Sequence, residues 1–515
     1  VKVTCIPLDI RPYNYDFLES LAAMDSQVSL AIPEKSKLGF KKNAAEHHDL
    51  TSYLFEHATQ SDAVIISLDM YVYGGLFPAR VHQHGEEWLN NRINDLIQLK
   101  QENPELRIYA SSLVLRTPKY NSSEEEPEYY AHSGKAIFTL GYLQNKAKRV
   151  GLTNDEEKEL DLLRLEINAE DMKDWIERRN KNLKITLRAI ELVAEGIIEQ
   201  LIVPLDDTAE FGYTAEDQIS IFDAIAEHGV QDKVFVHPGT DESGCTLLTK
   251  AYLANKGQRL KVQAHYSNEL FKYVVPNYED RPFVHSLRSH TRACGVEVVE
   301  SHDDNLPMLA INGCGEKMQE AFEVSYGFCV HTNVRKPKYK NVTYHTYRDL
   351  ITFAKEIGER ADSKPVVVAD LAMSNGGETE LIQALDKVCA LDKLSGYAGW
   401  NTTCNSLGTA IATLVFSTLG DNQDAKKVFL KERLISDWAY QTEVRFPVQL
   451  DYLPELGVDY GTFDHFSTRV FNKVKAGILT TWRETVKNTF KSCPPEIIAI
   501  TAPFKRMSGL HITVK

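Results

Sequence analysis

Leu201-Ile-Val-Pro-Leu-Asp206-Asp207-Thr-Ala-Glu-Phe-Gly212-Tyr-Thr-Ala-Glu-Asp-Gln218 holds a strand, an acid pair, a glycine turn and the start of a helix. Leu201–Leu205 is a short continuous apolar run, which suits a strand covered on both faces. It stops at two adjacent carboxylates. Thr214 then sits where an N-cap is expected, with Asp217 three residues on to complete a capping box. Ile221, Phe222 and Ile225 mark one apolar helix face, and Gly229 closes it. In an open parallel sheet, ligands bind beyond the carboxyl ends of the strands. The two aspartates stand at such an end.

Outward from this unit, the same grammar repeats. Strand-like runs fall at Val3–Leu8, Val28–Ile32, Ala63–Leu68 and Arg107–Leu113 before it, and at Val234–Val236 after it. A second series follows at Lys261–His265, Val296–Val299, Met308–Ile311, Pro365–Ala369 and Gly396–Gly399. Strands alternating with helical stretches imply right-handed βαβ units around parallel sheets. The run Asp62–Asp69 leading to Gly74-Gly75 echoes Asp304–Asn312 leading to Gly313 and Gly315, so each is expected as the third strand of a doubly wound lobe. The predicted fold is α/β, with two doubly wound, Rossmann- or flavodoxin-like parallel-sheet lobes facing a cleft. A (β/α)₈ barrel with appended elements is the rival. Expected boundaries are an N-terminal α/β domain over 1–258, a second over 259–420, and a mainly helical region over 421–515 ending in a strand or tail at His511–Val514. A charged helical insertion over 128–199 carries a capping box at Thr153–Glu156 and an apolar stripe of Leu162, Leu163, Leu165 and Ile167. It reads as a cap, a dimer surface or a solvated hairpin.

Composition narrows the function classes. The chain has 515 residues, 43% of them hydrophobic, and a formal net charge of −14. That length calls for more than one core, and that charge argues against a nucleic-acid binder. No run approaches the roughly 20 apolar residues of a membrane span, and the first residues read as a strand rather than a secretory leader. Eight widely spaced cysteines without a CxxC pair read as reduced thiols. The sequons at Asn341 and Asn401 would matter only in a secreted protein. A cytoplasmic location is the expectation, with no membrane and no nucleic-acid partner, and a homo-oligomer allowed.

Polar residues recur wherever a predicted strand ends. These are Asp9, Arg11 and Asn14; Asp69, Tyr73 and Arg80; Arg116; Asp206 and Asp207; and His237, Asp241 and Glu242. Later ends carry Ser267, Asn312, Asp370, Asn375, Trp400, Asn401 and Asn405. Asp, Asn and Gly are ordinary turn and cap residues, but turn chemistry does not ask for Arg11, Tyr73, Arg116 or Trp400. Paired carboxylates are what glycosidic hydrolysis needs. An Asp-Asp or Asp-Glu pair after a strand also resembles the motif of hexosaminidases, in which one acid orients the substrate acetamido group and its neighbour protonates the leaving oxygen. Asp206, Asp207, Asp241 and Glu242 are therefore the candidate catalytic groups, facing one cavity. Asp9, Arg11, Asp69, Tyr73, Arg80, Arg116, His237, Asn375, Trp400, Asn401 and Asn405 are the candidate substrate-binding groups, with Trp400 as a stacking platform. The expected partner is a small molecule, a sugar or amino-sugar glycoside.

Other chemistries are less well supported. Asp206, Asp207, His237, Asp241 and Glu242 also admit a divalent metal, which would suit a sugar isomerase or metallohydrolase, but no HExxH occurs and no cofactor is called for. There is no phosphate loop, no GxGxxG after the first strand and no GxSxG elbow. A non-catalytic two-lobed sensor is the reading from a different class, and the number of clustered acids speaks against it.

Seven motifs together resemble a bacterial family described only as a domain of unknown function. They are Pro7-Leu-Asp-x-Arg-Pro12; Leu68-Asp-x-x-x-Tyr-Gly-Gly-Leu76 with Arg80; Asp206-Asp-x-x-x-x-Gly212; Pro238-Gly-x-Asp-Glu242; Tyr266-Ser267; Ala369-Asp-x-Ala-x-x-Asn-Gly376; and Tyr397-Ala-Gly-Trp-Asn-Thr-x-x-Asn-x-Leu-Gly408. The resemblance runs to about Leu419, with Val72 the one departure. It implies that the strand ends form one site and carries no reaction with it.

Overall fold

A computed structural model describes residues 1–299, 303, 305–314, 328–329, 334–335, 347–492 and 494–515. The Asn341 sequon, Gly315 and Cys493 lie outside the described residues. The chain divides into two compact units. The first comprises Val1–Ile10, Ser29–Asn255 and Tyr278–Arg281; the second comprises Arg11–Val28, Lys256–Asn277 and Pro282–Lys515. Residues beyond 420 belong to the second unit.

The first unit is built on six strands: β1 (Lys2–Ile6), β2 (Ser29–Ala31), β3 (Ala63–Ser67), β4 (Arg107–Ser111), β5 (Gln200–Leu205) and β6 (Val234–Pro238). They lie in the order β2-β1-β3-β4-β5-β6, and every pairing is parallel. The second unit contains β7 (Leu260–Tyr266), β8 (Val296–Val299), β9 (Met308–Asn312), β12 (Val366–Asp370) and β13 (Gly396–Ala398) in the order β13-β12-β9-β7-β8, again wholly parallel. Two antiparallel pairs complete the strands: β10 (Phe328–Cys329) with β11 (Val334–Arg335), and β14 (Ile497–Thr501) with β15 (His511–Val514).

Numbered within its own unit, each main sheet runs 2-1-3-4-5, with a sixth strand added in the first. The echoing segments are the third strand of each, β3 and β9, as their sequence similarity predicts. Both sheets are open, so the chain is a pair of doubly wound folds and not a barrel. Reversal of strand order puts a topological switch point between β1 and β3 in one sheet and between β7 and β9 in the other. β3, β5, β9 and β12 are buried along their whole length, which explains why they read as unbroken apolar runs.

The insertion is three helices, Tyr130–Arg149, Asn154–Glu166 and Ala169–Ala194. The capping box at Thr153 and Glu156 is present. Its helices share a small core of Tyr130, Ile137, Leu140, Leu143, Leu160, Leu163, Ile167 and Trp175. The predicted stripe is corrected in part, because Leu162 and Leu165 are exposed. Register explains this: Leu160, Leu163 and Ile167 share one helix face at three- and four-residue spacing.

The helix after β5 is corrected too. It spans Tyr213–His228 with Gly212 at the N-cap, φ 127°. Asp217 makes no capping box and binds Arg179, Nε to Oδ2 2.7 Å. Phe222 is exposed while Ile221 and Ile225 are buried, and Gly229 closes the helix in the left-handed conformation as expected. No described helix is long and apolar enough to cross a membrane.

Candidate functional site

In the first unit the carboxyl ends of the strands converge on two arginines. β3 runs straight into the short helix Leu68–Tyr73, so Asp69 falls in its first turn and accepts the Leu113 amide at 3.0 Å. Gly74 ends that helix at φ 85°, where a Cβ would lie 2.6 Å from the Ala44 Cβ. Only glycine meets both demands at once. The chain turns through Gly75 into a second short helix, Leu76–Val81, which carries Arg80 inward. The double glycine of the Leu68–Leu76 motif therefore exists to set Asp69 and Arg80 on successive helices.

After β4 the chain stays alongside β5, with Val114 bridging Leu205 and its amide donating to the Pro204 carbonyl at 2.9 Å. That course delivers Arg116 to the end of β5. Arg80 donates to Asp206 Oδ2 at 2.6 Å and to Glu125 Oε2 at 2.6 Å. Arg116 donates to Asp207 Oδ2 at 3.0 Å, to Glu125 Oε2 at 2.7 Å and to Glu126 Oε1 at 3.0 Å. Two guanidiniums thus hold four carboxyl groups, an excess of negative charge in a largely dry place. Glu125 and Glu126 were not anticipated. They end the run Ser122-Ser-Glu-Glu-Glu126, which reads as a solvated acidic loop until arginines from two other segments are brought to it.

The members differ in access. The Arg80 side chain is 2% exposed and Asp206 10%, whereas Asp207 is 32% exposed. Asp207 also has φ 34°, a left-handed backbone that a non-glycine residue adopts only when its surroundings hold it there. Burial of its carboxyl and the neighbouring charge of Asp206 raise its pKa, against the pull of Arg116. Asp69, fully enclosed, is pushed up to about 7, chiefly by burial.

At the end of β6, His237 and Glu242 are both wholly buried, Nδ1 to Oε1 3.7 Å. Burial lowers His237 to about 4 and raises Glu242 well above the usual carboxyl range. Burial thus disfavours the charged form of both partners. Gly239 has φ 114°, and a Cβ there would stand 2.6 Å from Glu242 Oε1, so the Pro238–Glu242 motif folds the glutamate under its own turn. Asp241 is 6% exposed beside it. The described bonds of Asp206 and Asp207 lead to Arg80 and Arg116, while Glu242 packs on Gly239 and His237. Tyr73 stacks on His82, ring centroids 4.8 Å apart, and Asp9 is buried beyond β1.

The second unit holds the other predicted residues. Arg11 donates to the Tyr13 hydroxyl at 3.2 Å and lies over its ring. Tyr13 in turn stacks on Trp400, centroids 3.6 Å apart. Asn375 and Asn401 both have left-handed backbones, φ 64° and 74°, and the Asn375 amide donates to the Asn401 carbonyl at 2.8 Å. Asparagine tolerates that conformation best among non-glycine residues, so both have a turn role. Asn405 donates to Thr402 Oγ1 at 2.9 Å in the first turn of the helix Thr403–Leu419.

Across the second switch point, Ser267 after β7 donates to Asn312 Oδ1 at 2.8 Å. Asn312 donates to Asp370 and Glu378, at 2.8 and 2.7 Å. Arg348, unforeseen from sequence, clasps Glu378 through two bonds of 2.5 Å. Tyr397 donates to Asp370 at 2.7 Å, and burial followed by the Glu378 charge lifts Asp370 to about 6. This network is closed upon itself, whereas the first unit leaves Asp207 partly open to solvent.

A search of curated proteins returns no match. The family model described as Protein of unknown function (DUF4127) matches residues 3–511, and the chain belongs to that family.

Proposed function

We propose that the chain is a hydrolase of a small sugar or amino-sugar glycoside, with Asp206 and Asp207 as its working pair. One observation carries the reading. Adjacent acids at the end of β5 have been given different environments: Asp206 lies deep on Arg80, and Asp207 is more open, conformationally strained and biased toward its protonated form. Separating two carboxyls in this way assigns acid and partner roles.

In this scheme Asp207 gives its proton to the glycosidic oxygen as the bond to the anomeric carbon breaks, and the bonding pair leaves on that oxygen. Asp206, fixed by Arg80, orients the attacking group, either water or the substrate's own acetamido oxygen. A proton from the water that completes hydrolysis restores Asp207. Arg116 and Glu125 hold the acid in place. The test is a panel of glycosides with poor and with activated leaving groups. Asp207→Asn should lower kcat by about 10²–10⁴ on the poor ones and much less on nitrophenyl glycosides, whose departure needs no proton. Turnover of poor substrates that is untouched by Asp207→Asn would overturn the assignment.

A further inference from the structure

The loop that carries Asp207 is held from outside by a short strap, Tyr278–Arg281. The strap packs with the first unit, although Lys256–Asn277 before it and Pro282–Lys515 after it belong to the second. Its backbone turns at Tyr278, φ 69°, which lies with Asp207, φ 34°, in the left-handed region that non-glycine residues adopt under constraint. One hydrogen bond joins the two turns. The amide of Thr208, next in the chain after Asp207, donates to the Tyr278 carbonyl at 2.9 Å.

Side chains fasten the strap further. Asp280 accepts from Gln218 Nε2 at 2.9 Å and from Thr208 Oγ1 at 3.4 Å. Arg281 grips Asp280 through Nε at 2.6 Å and Nη2 at 3.0 Å, and Nη2 also donates to Gln218 Oε1 at 2.8 Å. Through Nη1 it donates to the Val236 carbonyl of β6 at 3.3 Å. Asp280, Arg281 and Gln218 thus form a closed, charge-assisted triangle. Gln218 lies on the helix Tyr213–His228 that follows the acid's loop, so the loop is gripped at Thr208 and again just past its far end. The Tyr278 ring also receives the Lys119 ammonium, Nζ 5.9 Å from its centroid. Lys119 follows Arg116 by three residues. The two segments that meet in the Arg116–Asp207 bond are therefore bridged a second time, through Tyr278. Within its own loop nothing accounts for the Asp207 backbone: among the described residues its carboxyl makes one hydrogen bond, to Arg116 Nη1 at 3.0 Å.

We propose that the strap positions the acid: Asp280, acting through Thr208 and Gln218, keeps Asp207 in the left-handed turn that sets its carboxyl on Arg116. The proposal rests on the hydrolase reading, in which Asp207 is the proton donor. Asp280 touches no reacting atom. Once the strap is loosened, Asp207 relaxes to an ordinary backbone, its carboxyl leaves Arg116 for water, and its proton is no longer aimed at the glycosidic oxygen.

Asp280→Ala in the full chain tests it by hydrogen exchange and by glycoside kinetics. The Thr208 amide should exchange about tenfold faster than in the parent, while the amides of Leu201–Leu205 keep their protection. On poor leaving groups kcat should fall about tenfold to a hundredfold with KM little changed, and nitrophenyl glycosides should be spared. The basic limb of the pH profile should move to lower pH, because a carboxyl released into water gives up the rise that burial and Asp206 impose. A loss of folded protein alone would leave that limb in place. Thr208→Val removes only the hydroxyl bond and should act more weakly in the same direction, with Thr208→Ser recovering most of the loss. An unchanged Thr208 exchange rate in Asp280→Ala, or faster exchange with kcat and the basic limb unmoved, would overturn the proposal. A parent that turns over no glycoside would sink the hydrolase reading, and Thr208 exchange would still decide whether the strap holds the acid's loop.

Discussion

Asp69 offers a stability measurement whose sign is set by burial. The residue is 2% exposed, and burial moves its carboxyl from the ordinary 3.8 to about 7, outweighing the bond from Leu113. In the folded chain it therefore stays protonated to near neutrality, while in the unfolded chain it ionises near pH 4. Between those values the folded state binds the extra proton, so stability falls as pH rises. The contribution is fully present below about pH 4 and lost by the time pH passes 7. Over roughly three pH units, at about 1.4 kcal/mol each, the loss is about 4 kcal/mol. Asp69→Asn keeps an acceptor for the Leu113 amide and removes the titration. Its stability relative to the parent should climb steadily from pH 4 to 7 and level off above. Urea unfolding at a series of pH values provides the reading, with hydrogen exchange in Ala63–Ser67 reporting on the first unit alone. Taking the difference between the two proteins cancels the titration of the other acids, and the slope, not the offset, decides. A difference that is flat or falls with pH would refute the reasoning.

Two further substitutions probe the closed network of the second unit. Glu378→Leu leaves the Arg348 guanidinium, whose side chain is 0% exposed, without its counter-charge and should cost about 3–5 kcal/mol; denaturation of the double variant with Arg348→Met should recover most of it. Gly377→Ala puts a Cβ 1.7 Å from the Tyr397 hydroxyl oxygen and should lower the melting temperature sharply, with Tyr397→Phe in the same chain restoring part of the loss in a thermal scan.

The strands were legible because both faces of each sheet are covered, which turns a strand into an unbroken apolar run. Val64, Ile65 and Ile66 need no alternation when nothing on either side is wet. The glycine motifs were legible as turns, but their purpose was not. Gly239 makes room for Glu242, and Gly377 for Tyr397, and close approach between side chains leaves no local trace. Charges were the least readable. Glu125 and Glu126 look like any acidic loop, and the arginines that bond them come from 9 to 45 residues away in sequence. Arg348 and Glu378 are separated by 30 residues. Asp217 was assigned to a cap by its spacing, and Arg179 on a distant helix claimed it instead. Local pattern finds the elements; partners brought together by topology decide what their polar ends do.

The division of the chain into units has a consequence for its synthesis. Residues 11–28 are translated ahead of nearly the whole first unit, yet they belong to the second unit. Tyr13 stacks on Trp400, Phe17 meets Phe429 at 5.3 Å, and Ser26 donates to Asp421, so each waits for about four hundred further residues to be translated. During that wait, Tyr13, Phe17 and Leu18, buried in the finished second unit, stand out between β1 and β2 of a sheet that is already able to form. A gene cut near residue 256 yields two fragments of which neither is a whole unit. The second becomes complete only when residues 11–28 are returned to it.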